Sequence, residues 1–276
     1  MRSSAGLGVG HLPGAGALHG PAIERVISAM RERVDDTLPL HAMAEIAHLS
    51  PYHFARVFRQ VTGVPPGEFL GALRLERAKQ LLLTTDLSVT EICFEVGYGS
   101  LGTFTSRFTR LVGLPPGRMR RLPEELALVF EHLRERDPDP VAPPGIGVAF
   151  QIGGADLGEA LIFVGLFPGA IPQRRPVAGT ILTAPGVYRL APVPDGRYHL
   201  MAALPRSEDP SIHLLPGAAL RVGRARGPLT VRGGRTNERV DVTLRPLEAT
   251  DPPVLVSLPA LLIEGYAPDG PRQKAR

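Results

Sequence analysis

Tyr52, Arg56 and Arg59, flanked by His53 and Gln60, recur at helical spacing opposite an apolar stripe of Phe54, Val57, Phe58 and Val61. An arginine on such a face can meet two acceptors of a guanine edge at once, and the major groove of DNA admits an α-helix. A second cluster has the same relation to Phe104, Phe108 and Leu111: Gly102, Thr105, Ser106, Thr109 and Arg110 face outward, with Arg107 at the edge of the core. Ser50 and Ser100 stand where each helix starts, and free backbone N–H groups there attract phosphate oxygens. The chemistry on offer is non-covalent recognition of a duplex. Taken alone, each polar face also suits the solvent side of any amphipathic helix.

Little else in the chain suggests chemistry. His199 and His213 lack metal-ligand spacing, and neither a nucleophile elbow nor a phosphate-binding loop is present. His41 and His48 read as helix-surface residues, and Asp156 and Glu159 as a solvated turn. No catalytic residue, metal ligand or cofactor site is therefore expected. The lone cysteine, Cys93, excludes an intramolecular disulfide framework and a zinc cluster. The formal charge of +4 comes almost wholly from arginine, since Lys79 and Lys274 are the two lysines. That balance suits a polyanionic partner, and equally a bias of genome base composition. No run reaches the roughly 18 apolar residues of a spanning helix, and the glycine-rich residues 1–20 lack the core of a signal peptide. A disordered tail on a cytoplasmic protein is the expectation.

The elements that position the two clusters repeat at an offset of fifty. Glu45, Ser50, Phe54, Phe58, Gly63, Pro65, Pro66 and Gly67 return as Glu95, Ser100, Phe104, Phe108, Gly113, Pro115, Pro116 and Gly117. Each copy reads as a short helix, a tight turn and a second helix that stops at glycine. A helix bearing Ile23, Val26, Ile27 and Met30 comes first, ending near Asp35-Asp36. The next runs from about Leu40 to His48. Ser50 caps a third, with Pro51 at its first position, where the missing N–H costs nothing, and Gly63 ends it. Pro66–Thr84 is a longer helix with Phe69, Leu73, Ala78, Leu81 and Leu82 inward. Ser88-Val-Thr-Glu91 is a capping box, Gly97-Tyr98-Gly99 breaks the helix it opens, and Ser100 caps the next. A short helix to Leu122 and another over 124–136 follow. A connecting helix of about 17 residues spans roughly 25 Å. With the width of the two units, that would set both reading helices in neighbouring major grooves about 34 Å apart. The DNA bend this entails costs on the order of 1–6 kcal/mol.

Asp137-Pro-Asp-Pro-Val-Ala-Pro-Pro-Gly145 cannot continue a helix and reads as a linker. Beyond it come short β-like runs: 147–152, 160–166, 180–183, 187–190, 198–203, 219–222, 229–231 and 239–244. Several alternate, as Val240, Val242 and Leu244 do against Asp241 and Thr243. Such strands between Pro and Gly turns predict a small β-sandwich over 146–250. Residues 251–276 read as a C-terminal tail, apolar from Val254 to Ile263. The fold class expected is α then β in separate domains: a double helix-turn-helix domain over 21–122, a helix and Pro-rich linker over 123–145, then the sandwich.

Residues 21–122 resemble the DNA-binding domain of AraC/XylS-type transcriptional regulators. The features that carry the likeness are Met43-Ala-Glu-Ile-Ala47, Ser50-Pro-Tyr-His-Phe-Ala-Arg-Val-Phe58, Gly63-Val-Pro-Pro66, Leu75-x-x-Ala78-x-x-Leu81-Leu82, Ser88-Val-Thr-Glu-Ile92, Val96-Gly-Tyr98, and Phe104 through Pro116. The resemblance implies seven helices, with both recognition helices entering adjacent grooves from one face. It places Tyr52, Arg56 and Arg59 at the first groove and Thr105, Ser106 and Arg110 at the second. Three departures stand out. Leu101 and Gly102 occupy positions where relatives often carry polar readers. Ser106 holds the place of the usual arginine, and Arg107 follows it. The helical domain precedes the accessory domain instead of following it. The first recognition helix is therefore expected to discriminate bases and the second to anchor the backbone. More weakly, Gly186 through Ala202, with its Pro194-Asp-Gly196 turn, resembles carboxypeptidase regulatory-like and transthyretin-like β-sandwiches. That likeness implies an accessory binding or assembly module without catalytic residues.

These observations converge on a sequence-specific transcription regulator and not an enzyme. Its partner is double-stranded DNA. RNA polymerase, a small-molecule effector of the β domain and a second copy of the chain are further partners this reading admits; a membrane is not. Two rivals stay open: an architectural binder without sequence preference, and an interaction module that no longer binds DNA.

Overall fold

The computed structural model describes residues 15–123, 147–154, 162–182, 184–205, 220–236, 240–257 and 260. The expected helix over 124–136 and the whole Pro-rich linker, 137–145, lie outside them, as do Asp156, Glu159 and His213. The helical part comprises α1 (Ala15–Glu32), α2 (Leu40–Ile46), α3 (Pro51–Thr62), α4 (Pro66–Thr84), α5 (Val89–Glu95), α6 (Leu101–Val112) and α7 (116–123). The first helix starts at Ala15, so the expected boundary at residue 20 is too late. It runs through Gly20-Pro21, where Pro21 gives up one backbone hydrogen bond. Ile23, Val26, Ile27 and Met30 are fully buried along it.

The two copies of the repeat fold alike. Phe54 and Phe58 are buried on α3 with ring centroids 5.5 Å apart, and Phe104 and Phe108 repeat the pair on α6 at 5.6 Å. Phe58 also meets Phe69 of α4 edge to face at 5.4 Å. Both recognition helices end on a left-handed glycine, Gly63 at φ 81° and Gly113 at φ 101°. Between the helices of each unit the chain turns through one residue of positive φ, His48 (56°) in the first and Gly97 (76°) in the second. A side chain at Gly97 is impossible without movement, because its Cβ would lie 2.4 Å from the Asp35 carbonyl oxygen.

Helix α4 ties the units together. Arg74 donates to the carbonyls of Val34 (2.9 Å), Asp36 (2.9 Å) and Gly97 (3.1 Å), bridging the loop before the first unit to the turn inside the second. Glu76 is buried and meets Arg31 at 2.8 Å. Apolar residues are buried all around this helix, which therefore has a neighbour on each side.

One of those neighbours is the β-rich part. Strands β1 (Val148–Gly153), β4 (Gly186–Leu190) and β8 (Val240–Thr243) form a sheet ordered β4-β1-β8, in which β1 and β8 are parallel. A larger antiparallel sheet is ordered β3-β2-β5-β6-β9, from β2 (Ile162–Phe167), β3 (Ala178–Leu182), β5 (Gly196–Pro205), β6 (Leu220–Arg224) and β9 (Arg245–Pro246), with β7 (Leu229–Val231) pairing β5. The short β9 had no sequence expectation. One apolar layer joins the two sheets, with Phe150, Val240 and Val242 on one side and Val164, Leu166 and Leu200 on the other. The opposite face of the larger sheet carries Phe163, Phe167, Met201, Ala203 and Val222, which belong to the same core as the helices. Strand β2 is buried on both faces, which is why it reads as an unbroken apolar run.

Residues 251–257 are not the tail expected of them. They form a strap across the helical part. Lys79 donates to the carbonyls of Val254 (3.0 Å) and Leu255 (3.3 Å), and the Ser257 amide donates to the Val112 carbonyl (3.1 Å). The loop of residues 168–177 makes a second contact, with the Arg174 amide donating to the Leu111 carbonyl at 2.6 Å. The Pro172 carbonyl accepts from the amides of Leu255 (3.0 Å) and Val256 (2.9 Å), joining loop to strap.

Candidate nucleic-acid interface

Alternation around α3 puts its apolar stripe inside and its donors outside. Tyr52 is 85% exposed, and Arg56, Arg59 and Gln60 are exposed beside it. Arg56 and Arg59 make no hydrogen bond or ion pair with any described residue, so their guanidinium donors remain for a ligand. Ser50 occupies the N-cap position, but its hydroxyl makes no cap hydrogen bond, contrary to expectation. Pro51, at the first helical position, leaves one fewer unpaired N–H at this end.

His53 is placed differently from its neighbours. It is half-buried, its ring lies 5.6 Å from that of His19 on α1, and its Nε2 is buried without a partner. This contact comes from the unexpected first turns of α1, which no property of residues 50–62 discloses.

On α6, Ser106 and Arg110 are exposed, while Thr105 and Thr109 are half-buried. Ser100 does cap this helix: its Oγ accepts from the Thr103 amide at 3.3 Å. Arg107 turns inward and lies on Gly71 of α4, where an added Cβ would come within 2.8 Å of its Nη2, and its Nε is buried without an acceptor. Burial pushes the nearby Tyr98 hydroxyl above its ordinary pKa of 10, an effect opposed by the charges of Arg107 and Arg74. Arg107 thus packs between helices, and Gly71 is the residue that makes room for it. Leu101 and Gly102 are exposed at the start of α6, leaving the second polar face with fewer long donors than the first.

Two exposed polar helix faces, each set by a buried Phe pair, are joined by a helix of 19 residues, about 28 Å long. The family model described as a helix-turn-helix domain matches residues 43–122. Residues 43–122 are a helix-turn-helix domain. The chain is 35% identical over 101 residues to the HTH-type transcriptional regulator GlxA of Rhizobium meliloti, covering 37% of this chain and 31% of that protein. It is 36% identical over 107 residues to the RCS-specific HTH-type transcriptional activator RclR of Escherichia coli, covering 39% and 38%. The chain thus spans about a third of the length of these curated relatives. Among solved structures, an AraC-type transcriptional regulator from Chromobacterium violaceum matches at 28% identity, over 38% of this chain and 93% of that one, with a TM-score of 0.36.

Outside the helix-turn-helix domain the described residues hold no group of three or more His, Cys, Asp or Glu that could bind a metal. No described helix is long and apolar enough to cross a membrane. His199 is half-buried, and burial, then the charges of Arg224 and Arg197, push its pKa down.

Proposed function

We propose that the chain is a sequence-specific, DNA-binding transcription regulator and not an enzyme. The observation that carries this reading is the pair of recognition helices: α3 and α6 each bury two phenylalanines and leave an uncommitted polar face outward. Tyr52, Arg56, Arg59 and Gln60 enter one major groove, and Thr105, Ser106 and Arg110 the next. Affinity comes from phosphate neutralisation, and base choice mainly from Arg56 and its neighbours on α3. The second helix, which starts with Leu101 and Gly102 and turns Arg107 inward, anchors the backbone. His53 and Arg107 act from behind the surface, through packing. The β-rich part, a two-sheet sandwich in this reading, is an accessory module that senses a small molecule, dimerises or meets a partner such as RNA polymerase. The cytoplasm is the location this function requires.

The test is binding of the full chain to DNA selected from a random pool and to a shuffled copy, across a salt series. Log affinity should fall linearly with log salt, with the selected DNA bound about 10³-fold or more tightly than the shuffled one. Equal binding to both would favour an architectural binder, which the apolar start of α6 also suits. Absence of binding at low salt would leave an interaction module.

A further inference from the structure

The larger sheet, the 168–177 loop and the strap enclose an apolar cleft. Its floor includes Phe163, Met201 and Val222 of the sheet, and its roof includes Pro172 of the 168–177 loop and Val256 of the strap. Its empty volume is about 590 Å³, counting the space at its open mouth. Arg224 is the charged residue in the wall.

We propose that this cleft binds a small apolar acid, a molecule with a hydrocarbon or single-ring body and one anionic group directed at Arg224. This deepens, and rests on, the reading of the chain as a regulator. The floor and roof supply hydrocarbon contact and few polar partners, so the body of the ligand is apolar. The electrostatics select its head group. Arg224 and Arg245 share one buried carboxylate, Asp251, at 3.2 and 2.7 Å. Among the described residues the other acid in the cluster is Glu248, exposed and 3.5 Å from Arg245. His199, its pKa held down by burial and by the charges of Arg224 and Arg197, supplies no negative charge. Two guanidinium groups facing one buried carboxylate leave an anion welcome at the Arg224 end.

The roof makes the site regulatory. Loop and strap, joined at the Pro172 carbonyl, hold the last turn of α6 through Leu111 and Val112 and hold α4 through Lys79. A ligand between floor and roof therefore works on the two segments that touch one recognition helix and the helix joining both. Its effect on DNA affinity equals its differential affinity for the arrangements of that roof.

The experiment uses the full chain, with octanoate as probe and 1-octanol as its uncharged counterpart, titrated calorimetrically. The same samples are assayed against DNA selected from a random pool. Octanoate should bind saturably and about tenfold or more tightly than octanol, because a charge-assisted hydrogen bond to Arg224 distinguishes them. Ala203→Leu, which fills the floor, and Ile181→Phe, which narrows the wall on the same face as Phe163, should each abolish binding while retaining the thermal melt. If Ala203→Leu fails to fold, Ile181→Phe decides alone. Saturating octanoate should change DNA affinity about fivefold or more. Four results would each overturn the proposal: no saturable binding, equal binding of octanol, binding that survives in the folded variants, or unchanged DNA affinity. Should no DNA be enriched from the pool, the regulator reading fails, while the octanoate titration still decides whether the cleft is a site.

Discussion

Lys79 Nζ stands 3.0 Å from the carbonyl oxygen of Val254, a residue 175 positions away. Burial pushes this amine down from 10.5 to about 8, while Glu76 pulls it the other way. One buried ammonium thus fastens the strap to the helix that joins the two units of the helix-turn-helix domain.

The clasp has a pH signature. Between pH 8 and 10.5 the unfolded chain keeps the lysine proton and the folded chain has released it, so unfolding takes up a proton. Stability therefore rises with pH through that window, by up to about 1.4 kcal/mol per unit. Urea unfolding from pH 7.5 to 10 should show the rise in the parent chain but not in Lys79→Met. Parallel slopes in the two proteins would mean that burial does not govern this amine.

Arg56 and Arg110 should separate reading from anchoring. Arg56→Ala should cost about 1–3 kcal/mol on a selected site and relax the preference at one base pair. Arg110→Ala should weaken all sequences alike and lower the salt slope by about one. Both side chains are exposed, so melting temperatures should hold. Identical, sequence-independent losses would remove Arg56 from the role of reader.

Two glycines of the second unit should respond with opposite signs. Gly97→Ala forces a Cβ against the Asp35 carbonyl at positive φ, and should cost roughly 2–4 kcal/mol. Gly102, inside α6 with nothing within 4 Å of an added Cβ, should gain up to about 1 kcal/mol as alanine. Thermal melts of both variants check this, and a destabilised Gly102→Ala would count against the open space described at the start of α6.

Asp251 should matter most in acid. Burial alone would raise its carboxyl, yet hydrogen bonds from Arg245 and the Glu248 amide, with the charges of Arg224 and Arg245, hold it below 3.8. Its contribution is complete above that value and is lost as pH falls through the lower folded one. Asp251→Asn should cost about 3 kcal/mol at neutral pH and flatten the acid limb of the stability curve. An acid limb identical to the parent's would show that this carboxylate is not what acid attacks.

What could be read from the sequence was what short-range signals encode. Pro66–Thr84 starts at Pro-Pro and stops before Asp86, so its ends are local. Gly63 and Gly113 end helices because only their own backbone conformation is involved. The exposure of Tyr52, Arg56 and Arg59 follows from the stripe opposite them. Partners on other elements were not legible. His53 flanks the outward face in the sequence, yet its ring lies beside His19 of α1, and Arg107, at the edge of the core, packs on Gly71 of α4. The parallel pairing of β1 with β8 joins Phe150 to Val240, 90 positions further along the chain, and no periodicity encodes such a match. Residues 251–257 read as a tail because their hydrogen bonds run to Lys79 and Val112 instead of to a neighbouring strand.

The distance along the chain between Lys79 and Val254 is also a delay. At roughly 5–20 residues per second, a ribosome needs about 10–35 s to make the 175 residues between them. For that interval the helices of the nascent chain stand without their strap. The Lys79 amine is then hydrated and fully basic, and its desolvation falls due only when residues 251–257 arrive.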